Sequence, residues 1–341
     1  MDMIENEYFQ LTDLLHPSVP SLLEELSQTP EMKRLGQVGM NCGCEYTAFP
    51  RFAGGRTYNR LEHSLGVGLI VWHFTRDPAQ AAAGLLHDVA TPTFAHVVDF
   101  LRGDYLSQEA TEYGTQERIE SSAVIQEILK RNGLNTDHVA DYHRYPIADN
   151  DSPRLSADRL EYTLGNSLRW GILTKPEIDE IYRDLRVGEN EDGQPELVFS
   201  TASLASGFAR AALACSRIYV SDPDRYAMQA LSELLSRSLS LEILTQKDLE
   251  GTEPPLIAKL EASPLAPDWR AFRRLNRTLR APVPPDSRAW RKIPSKKRRI
   301  DPLVQGQGRV SSLDPEFCRD LETFLQEPQE DHWLLGLSEP D

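Results

Sequence analysis

Cysteine is scarce in this chain of 341 residues. The four present, Cys42, Cys44, Cys215 and Cys318, are too few and too scattered for a disulfide framework. No apolar run reaches the ~20 residues that a membrane span needs, so no membrane partner is expected. The opening residues, MDMIENEYFQ, are acidic and lack the basic start and apolar stretch of a secretory signal, which predicts a cytoplasmic location. Positive charge is also in short supply, with 37 Lys and Arg against 52 Asp and Glu and a net charge of −15. Strand-like alternation is nearly absent, and PELVFS (195–200) is the best short candidate. Histidine occurs only 8 times, so the positions it occupies carry weight.

Apolar residues at three- and four-residue spacing dominate instead. They run through SLGVGLIVWHF (64–74), AQAAAGLLHDV (79–89), SSAVIQEILKR (121–131), ASLASGFARAALACSRIYV (202–220) and DRYAMQALSELLSRSLSLEIL (224–244). The expected fold class is therefore all-α, with a central cleft and a second helical layer. The organisation expected is an N-terminal segment (1–30), a core (31–190), a second layer of the same fold (191–250) and a Pro- and Arg-rich C-terminal region with its tail (251–341). Charge is uneven: Arg270 to Arg299 holds 12 Arg and Lys against one acid, Asp286, a local +11 that leaves −26 elsewhere. Trp269, Phe272 and Trp290 interleave that segment, which is then either a nucleic-acid contact or an arm packed on the acidic body. The tail DHWLLGLSEPD either docks on the body or stays loose.

One arrangement suggests chemistry. His87 and Asp88 end the small-residue helix AAAGLLHD, and Pro92 stops any continuation. At a helix terminus two adjacent side chains can turn to one point, which they rarely do mid-helix. Imidazole and carboxylate together suit a divalent Mn, Fe, Zn or Mg ion. His63 lies 24 residues earlier, and an antiparallel return would bring it alongside His87. Asp158, in LSADRLEYTL, would add a second carboxylate. Spacing alone leaves plainer readings open: Asp158 as a helix-start residue favoured by the dipole, and His87-Asp88 as a helix-end pair.

The order His63, His87-Asp88, Asp158 resembles the H…HD…D signature of the HD-domain phosphohydrolases. AFPRFAGGRTYNRLEHSLGVG, LLHDVATPTFAHVVDFL and SADRLEYTL resemble segments of the branch that hydrolyses deoxynucleoside triphosphates, and the likeness extends over roughly residues 31 to 310. That resemblance implies an HD-domain helical bundle in which His63, His87, Asp88 and Asp158 ligate a divalent metal ion. It implies that Arg60 and Arg159 contact phosphate, that Tyr162 lies near the sugar, and that Asn41 stands where the branch reads the sugar. Asp88, His96 and Asp99 would carry the catalytic steps. It also implies a homo-oligomer.

The chain departs from that pattern in two places. Thr91 replaces a histidine used in the acid–base step, and the next histidine of the pattern has only Gln108-Glu109 or Gln116-Glu117 in its place. Asn41-Cys42-Gly43 replaces Q-L-G in the sugar-reading segment. The expected activity is therefore hydrolysis of a phosphate ester or anhydride in a nucleotide or another phosphorylated small molecule. The alternatives are an HD phosphodiesterase or nuclease on single strands or cyclic dinucleotides, and a nucleotide-binding sensor without turnover. His73 is expected as a packed ring, and His138 and His143 as a solvated loop.

Overall fold

Helix α1 (Arg60–Thr75) starts where Asn59 closes a capping box: its Oδ1 accepts from the Glu62 amide at 3.0 Å, and Glu62 Oε2 accepts from the Asn59 amide at 2.8 Å. Arg76, in the left-handed region with φ of 56°, ends it. Asp77 then caps α2 (Pro78–Leu86) by accepting from the Ala79 amide at 2.8 Å, with Pro78 preset for the first turn. The short link folds α2 back along α1, and two glycines let the pair approach closely. A Cβ on Gly84 would lie 3.2 Å from a Val71 methyl and 3.3 Å from one of Val67. Helix α3 (Ala157–Arg169) begins at Ser156, whose hydroxyl accepts from the Arg159 amide, and packs on α1.

This computed structural model describes residues 11, 12, 14–53, 58–106, 114–328 and 331–338. It is mostly helical, as the periodicity predicts, and no helix among the described residues is long and apolar enough to cross a membrane. Two apolar clusters form the interior. The first joins α1, α2 and α3 to α4 (Ala202–Tyr219) and, through Phe317 and Phe324, to a late helix, α6 (Pro315–Gln326). The second gathers Phe49, Phe94 and Trp269 around α5 (Asp222–Ser240).

The strands are short, and only one was foreseen. β1 (Leu185–Glu189) pairs antiparallel with β2 (Pro195–Phe199), the predicted PELVF run, and β2 also meets β4 (Leu303–Val304), which pairs with β5 (Gly308–Arg309). β3 (Arg277–Ala281) pairs antiparallel with β6 (Trp333–Leu337), so the apolar tail docks. Leu334 and Leu335 are buried there. The basic segment lies on the acidic body: Arg280 bonds Asp222, and Arg291 Nε donates to Glu233 at 2.8 Å. Trp269, Phe272 and Trp290 are buried and so present no stacking platform.

Candidate metal centre

The first turn of α1 carries His63, and the residue just past α2 is His87; their ring centroids lie 5.1 Å apart. Each ring is held by its Nδ1. That of His87 donates to the Gly84 carbonyl at 2.7 Å, and that of His63 meets the buried Glu161 carboxylate of α3. Both Nε2 atoms consequently face one point. His63 Nε2 is 3.1 Å from Asp158 Oδ1, and His87 Nε2 is 3.8 Å from the same oxygen and 3.6 Å from Asp88 Oδ2. Donor atoms of His63, His87 and Asp88 all lie within 4.8 Å of one another. The helix stops at Leu86, which is what frees His87 and Asp88 to turn together.

The donor set fits a divalent cation. Two imidazoles with fixed tautomers and two carboxylates make a mixed N/O site of the kind that takes Mn, Fe or Zn. Burial drives the Glu161 carboxyl well up, and a cation on the far side of the His63 ring would offset that cost. Burial would also raise Asp88, but Arg60 and the two histidines outweigh it and hold the carboxyl far below its usual range. Asp158 is held down in the same way, with His63 opposing burial. Asp88 is fully engaged: Oδ2 accepts from Arg60 Nη1 at 2.6 Å and Oδ1 from the Thr91 hydroxyl at 2.7 Å. Thr91, where the resembling branch has histidine, thus orients the Asp88 carboxylate.

Sequence reasoning passes over four contributors. Glu161 stands three residues after Asp158, on the same helical face, and that spacing was the available signal. Arg34 donates to the carbonyls of Val89 at 3.1 Å, Thr91 at 2.7 Å and Gly251 at 2.9 Å, fixing the turn after Asp88. Asp149 accepts from Arg159 Nη1 at 2.9 Å and meets His143 Nδ1 at 3.1 Å. Asn166 lies two turns beyond Asp158 on α3. None of Arg34, Asp149 or Asn166 had a local signal.

The centre opens into a cavity of about 830 Å³. Arg60, Arg159, Tyr162, Asn41 and His96 line it, as does His143, which was expected in a solvated loop. His138 is half-buried on the short helical turn Thr136–Val139, and His73 packs on Phe74 and Tyr182, with ring centroids 4.8 and 5.3 Å away. Asp99 is buried behind His96 and holds its Nδ1 at 2.9 Å. Phe94 and Ala95, at φ of 61° and 47°, place His96 from a strained left-handed turn, a conformation that concentrates at functional sites. Arg159 is tied to Asp149 and to Asn150 Oδ1, also at 2.9 Å. Burial, opposed by Arg159, pushes Tyr162 up to about 12. Buried polar atoms of cavity residues without a hydrogen-bond partner include Arg60 Nε, Asn41 Nδ2 and Asn166 Oδ1. Gln108-Glu109 lies outside the described residues, whereas Gln116 bonds Glu120 on an exposed helix face.

No family model matches the chain. It is 24% identical to an uncharacterized protein of Bacillus subtilis, over 74% of this chain and 76% of that one. It is 27% identical to a metal-dependent phosphohydrolase of Cordyceps militaris, over 64% of this chain and 59% of the relative. A deoxynucleoside triphosphate triphosphohydrolase of Bos taurus is 25% identical over 39% of this chain and 24% of its own length. Among solved structures, a phosphohydrolase from Bacteroides thetaiotaomicron superposes with a TM-score of 0.67 at 15% identity, covering 95% of this chain and 97% of that one, and shares the fold. The His-His-Asp cluster formed by the motif's own residues, and relatives and a fold neighbour that are named phosphohydrolases, agree with the chain's resemblance to the HD-domain phosphohydrolases.

Proposed function

We propose that the protein hydrolyses a phosphate ester or anhydride bond of a nucleotide-like substrate, using a divalent ion held by His63, His87, Asp88 and Asp158. The observation that carries this reading is the common aim of two Nδ1-anchored imidazoles and two ionised carboxylates at the floor of a large cavity. When bound, such an ion supplies Lewis acidity, lowering the pKa of water and polarising a phosphoryl oxygen. Arg60, held by Asp88 through Nη1, has its buried Nε left to donate to a phosphate oxygen. Arg159 adds positive charge one position after Asp158, already oriented by Asp149 and Asn150.

The proton for the leaving oxygen comes from His96. Burial lowers its pKa, with the Asp99 bond opposing and the charges of Arg298 and Arg60 adding to the lowering. The ring is therefore neutral near pH 7 in the free protein, and an arriving phosphate dianion favours its protonated form. Asp99 fixes the ring through Nδ1 and leaves Nε2 as the donor. His96→Gln is expected to lower kcat by about 10²–10⁴-fold while metal binding, read by calorimetry, stays unchanged.

The experiment is product analysis by anion-exchange chromatography. Protein loaded with Mn or with Fe is given ribo- and deoxynucleoside mono-, di- and triphosphates and a short single-stranded oligonucleotide, beside an Asp88→Ala control. Triphosphate release would assign the triphosphohydrolase activity, and orthophosphate release a phosphatase. No turnover with either metal, with nucleotide still bound, would replace the hydrolase reading with that of a sensor.

A further inference from the structure

One wall of the cavity has no part in the metal centre. It is the strap Ser295–Arg299, a run of five consecutive lining residues of which four are cationic, at the end of the basic segment. The strap is built in at both ends. Ile293 and Ile300 are buried on either side of it. The Ser152 hydroxyl donates to the Arg299 carbonyl at 2.9 Å, and the Asp301 amide to the Pro153 carbonyl at 2.8 Å. Lys297 is spent on structure, since its Nζ donates to the carbonyls of Phe324 at 2.7 Å and Leu325 at 2.9 Å at the end of α6.

Arg298 has a different setting. Its guanidinium lies over the Tyr219 ring, 6.0 Å from the centroid, and Tyr219 packs at 6.2 Å on Tyr162. The Tyr219 hydroxyl accepts from Asn166 Nδ2 at 2.8 Å. Asn166 is eight residues beyond Asp158 on α3, which is about 12 Å along the helix axis. Arg298 thus lies on the side of the cavity where Tyr162 and Asn166 stand, and its charge also reaches His96. Asp224 also lines the cavity. Burial pushes Asp224 up to about 8 against the pull of Arg298 and Cys44, so it is mostly neutral at pH 7.

We propose that the strap is a second anion subsite centred on Arg298, and that the preferred substrate carries a second phosphate on the far side of its sugar, as a nucleoside 3′,5′-bisphosphate does. This rests on the hydrolase reading above for the bond cleaved, but not for binding. A rigid cationic strap needs little reordering to hold an anion, and it gives a phosphorylated ligand an attractive patch on a chain whose net charge is −15.

The test compares wild type with Arg298→Gln on three substrates in the presence of Mn: a nucleoside 5′-monophosphate, the 3′,5′-bisphosphate and the 5′-triphosphate. We expect KM for the bisphosphate to rise about tenfold while KM for the monophosphate changes less than about twofold, with KM rather than kcat as the readout because the Arg298 charge also acts on His96. Lys296→Gln, at an exposed position, is expected to shift the same KM by a smaller factor and guards against misfolding of the first variant. An effect confined to the triphosphate would overturn the sugar-side placement, and equal effects on all three substrates, or none, would overturn the subsite. If nothing is turned over, the hydrolase reading fails by itself. Calorimetry of the bisphosphate then decides the subsite, with tenfold weaker binding to Arg298→Gln supporting it and equal binding refuting it.

Discussion

Glu161 shows how much a single residue behind the ligands can do. A carboxylate on the far nitrogen of a metal-binding imidazole fixes the tautomer and raises the ring's basicity, and here that carboxylate is buried between α1 and α3. Glu161→Gln keeps an acceptor but removes the charge. Metal affinity is expected to drop about 10- to 100-fold, read by calorimetric titration. Unchanged affinity would make Glu161 a packing residue only. The same residue explains a glycine in the EHSLG word: a Cβ on Gly66 would lie 2.7 Å from Glu161 Cγ. The contact with His63 was not legible in the sequence, because the partners are 98 positions apart; only the spacing from Asp158 hinted at it. His63, His87, Asp88 and Asp158 were legible as a group through the resemblance of their order to the H…HD…D signature, since their helix-end positions alone left plainer readings open.

Between elements, the closeness of α1 and α2 sets the separation of the two histidines. Gly84 faces Val67 and Val71 across the contact, with no room for a larger side chain. Gly84→Val is expected to cost about 1–3 kcal/mol by overpacking, measured by denaturant unfolding. It should also weaken metal binding, since His63 and His87 stand at the paired ends of these helices. Full stability together with intact metal affinity would show that the pair repacks freely. The helices themselves were readable from apolar spacing. The remaining strands were not: β3 and β6 pair across a long stretch of chain, and β1, β4 and β5 are too short to show a clear alternation.

For the whole molecule, charge is the governing quantity. The basic segment is partly paired with acids of the body, as in Arg280 with Asp222 and Arg291 with Glu233, and its last residues turn to the cavity. Buried carboxyls also set the pH response. Burial raises Asp224 to about 8 and raises Glu253, with the Glu45 charge adding to the latter. Groups with raised folded pKa values bind more protons folded than unfolded, so their contribution is complete at low pH and is lost as pH rises toward 8. Burial lowers His63, His73 and His96 instead, so their contribution is present above about 6.5 and is lost on acidification. Between pH 6.5 and 8 the carboxyls alone decide, and Tm should fall as pH rises. Asp224→Asn should flatten that fall, and a slope unchanged in the variant would count against a buried, protonated Asp224.

The sequence by itself determined the helical class, the caps beside the four candidate ligands, and a family likeness that points to metal and phosphate chemistry. Those are local properties, written in three- and four-residue periodicity, helix breakers and short words. Only the tertiary structure decided that Glu161 backs His63, that Arg34 fixes the turn after Asp88, that Trp269 and Trp290 are core rather than stacking surface, and that Arg298 reaches the cavity. The strap meets its anchor at Ser152 across 147 positions. Contacts at that separation are chosen by how the packed helices close on one another, and no periodicity in the chain encodes them.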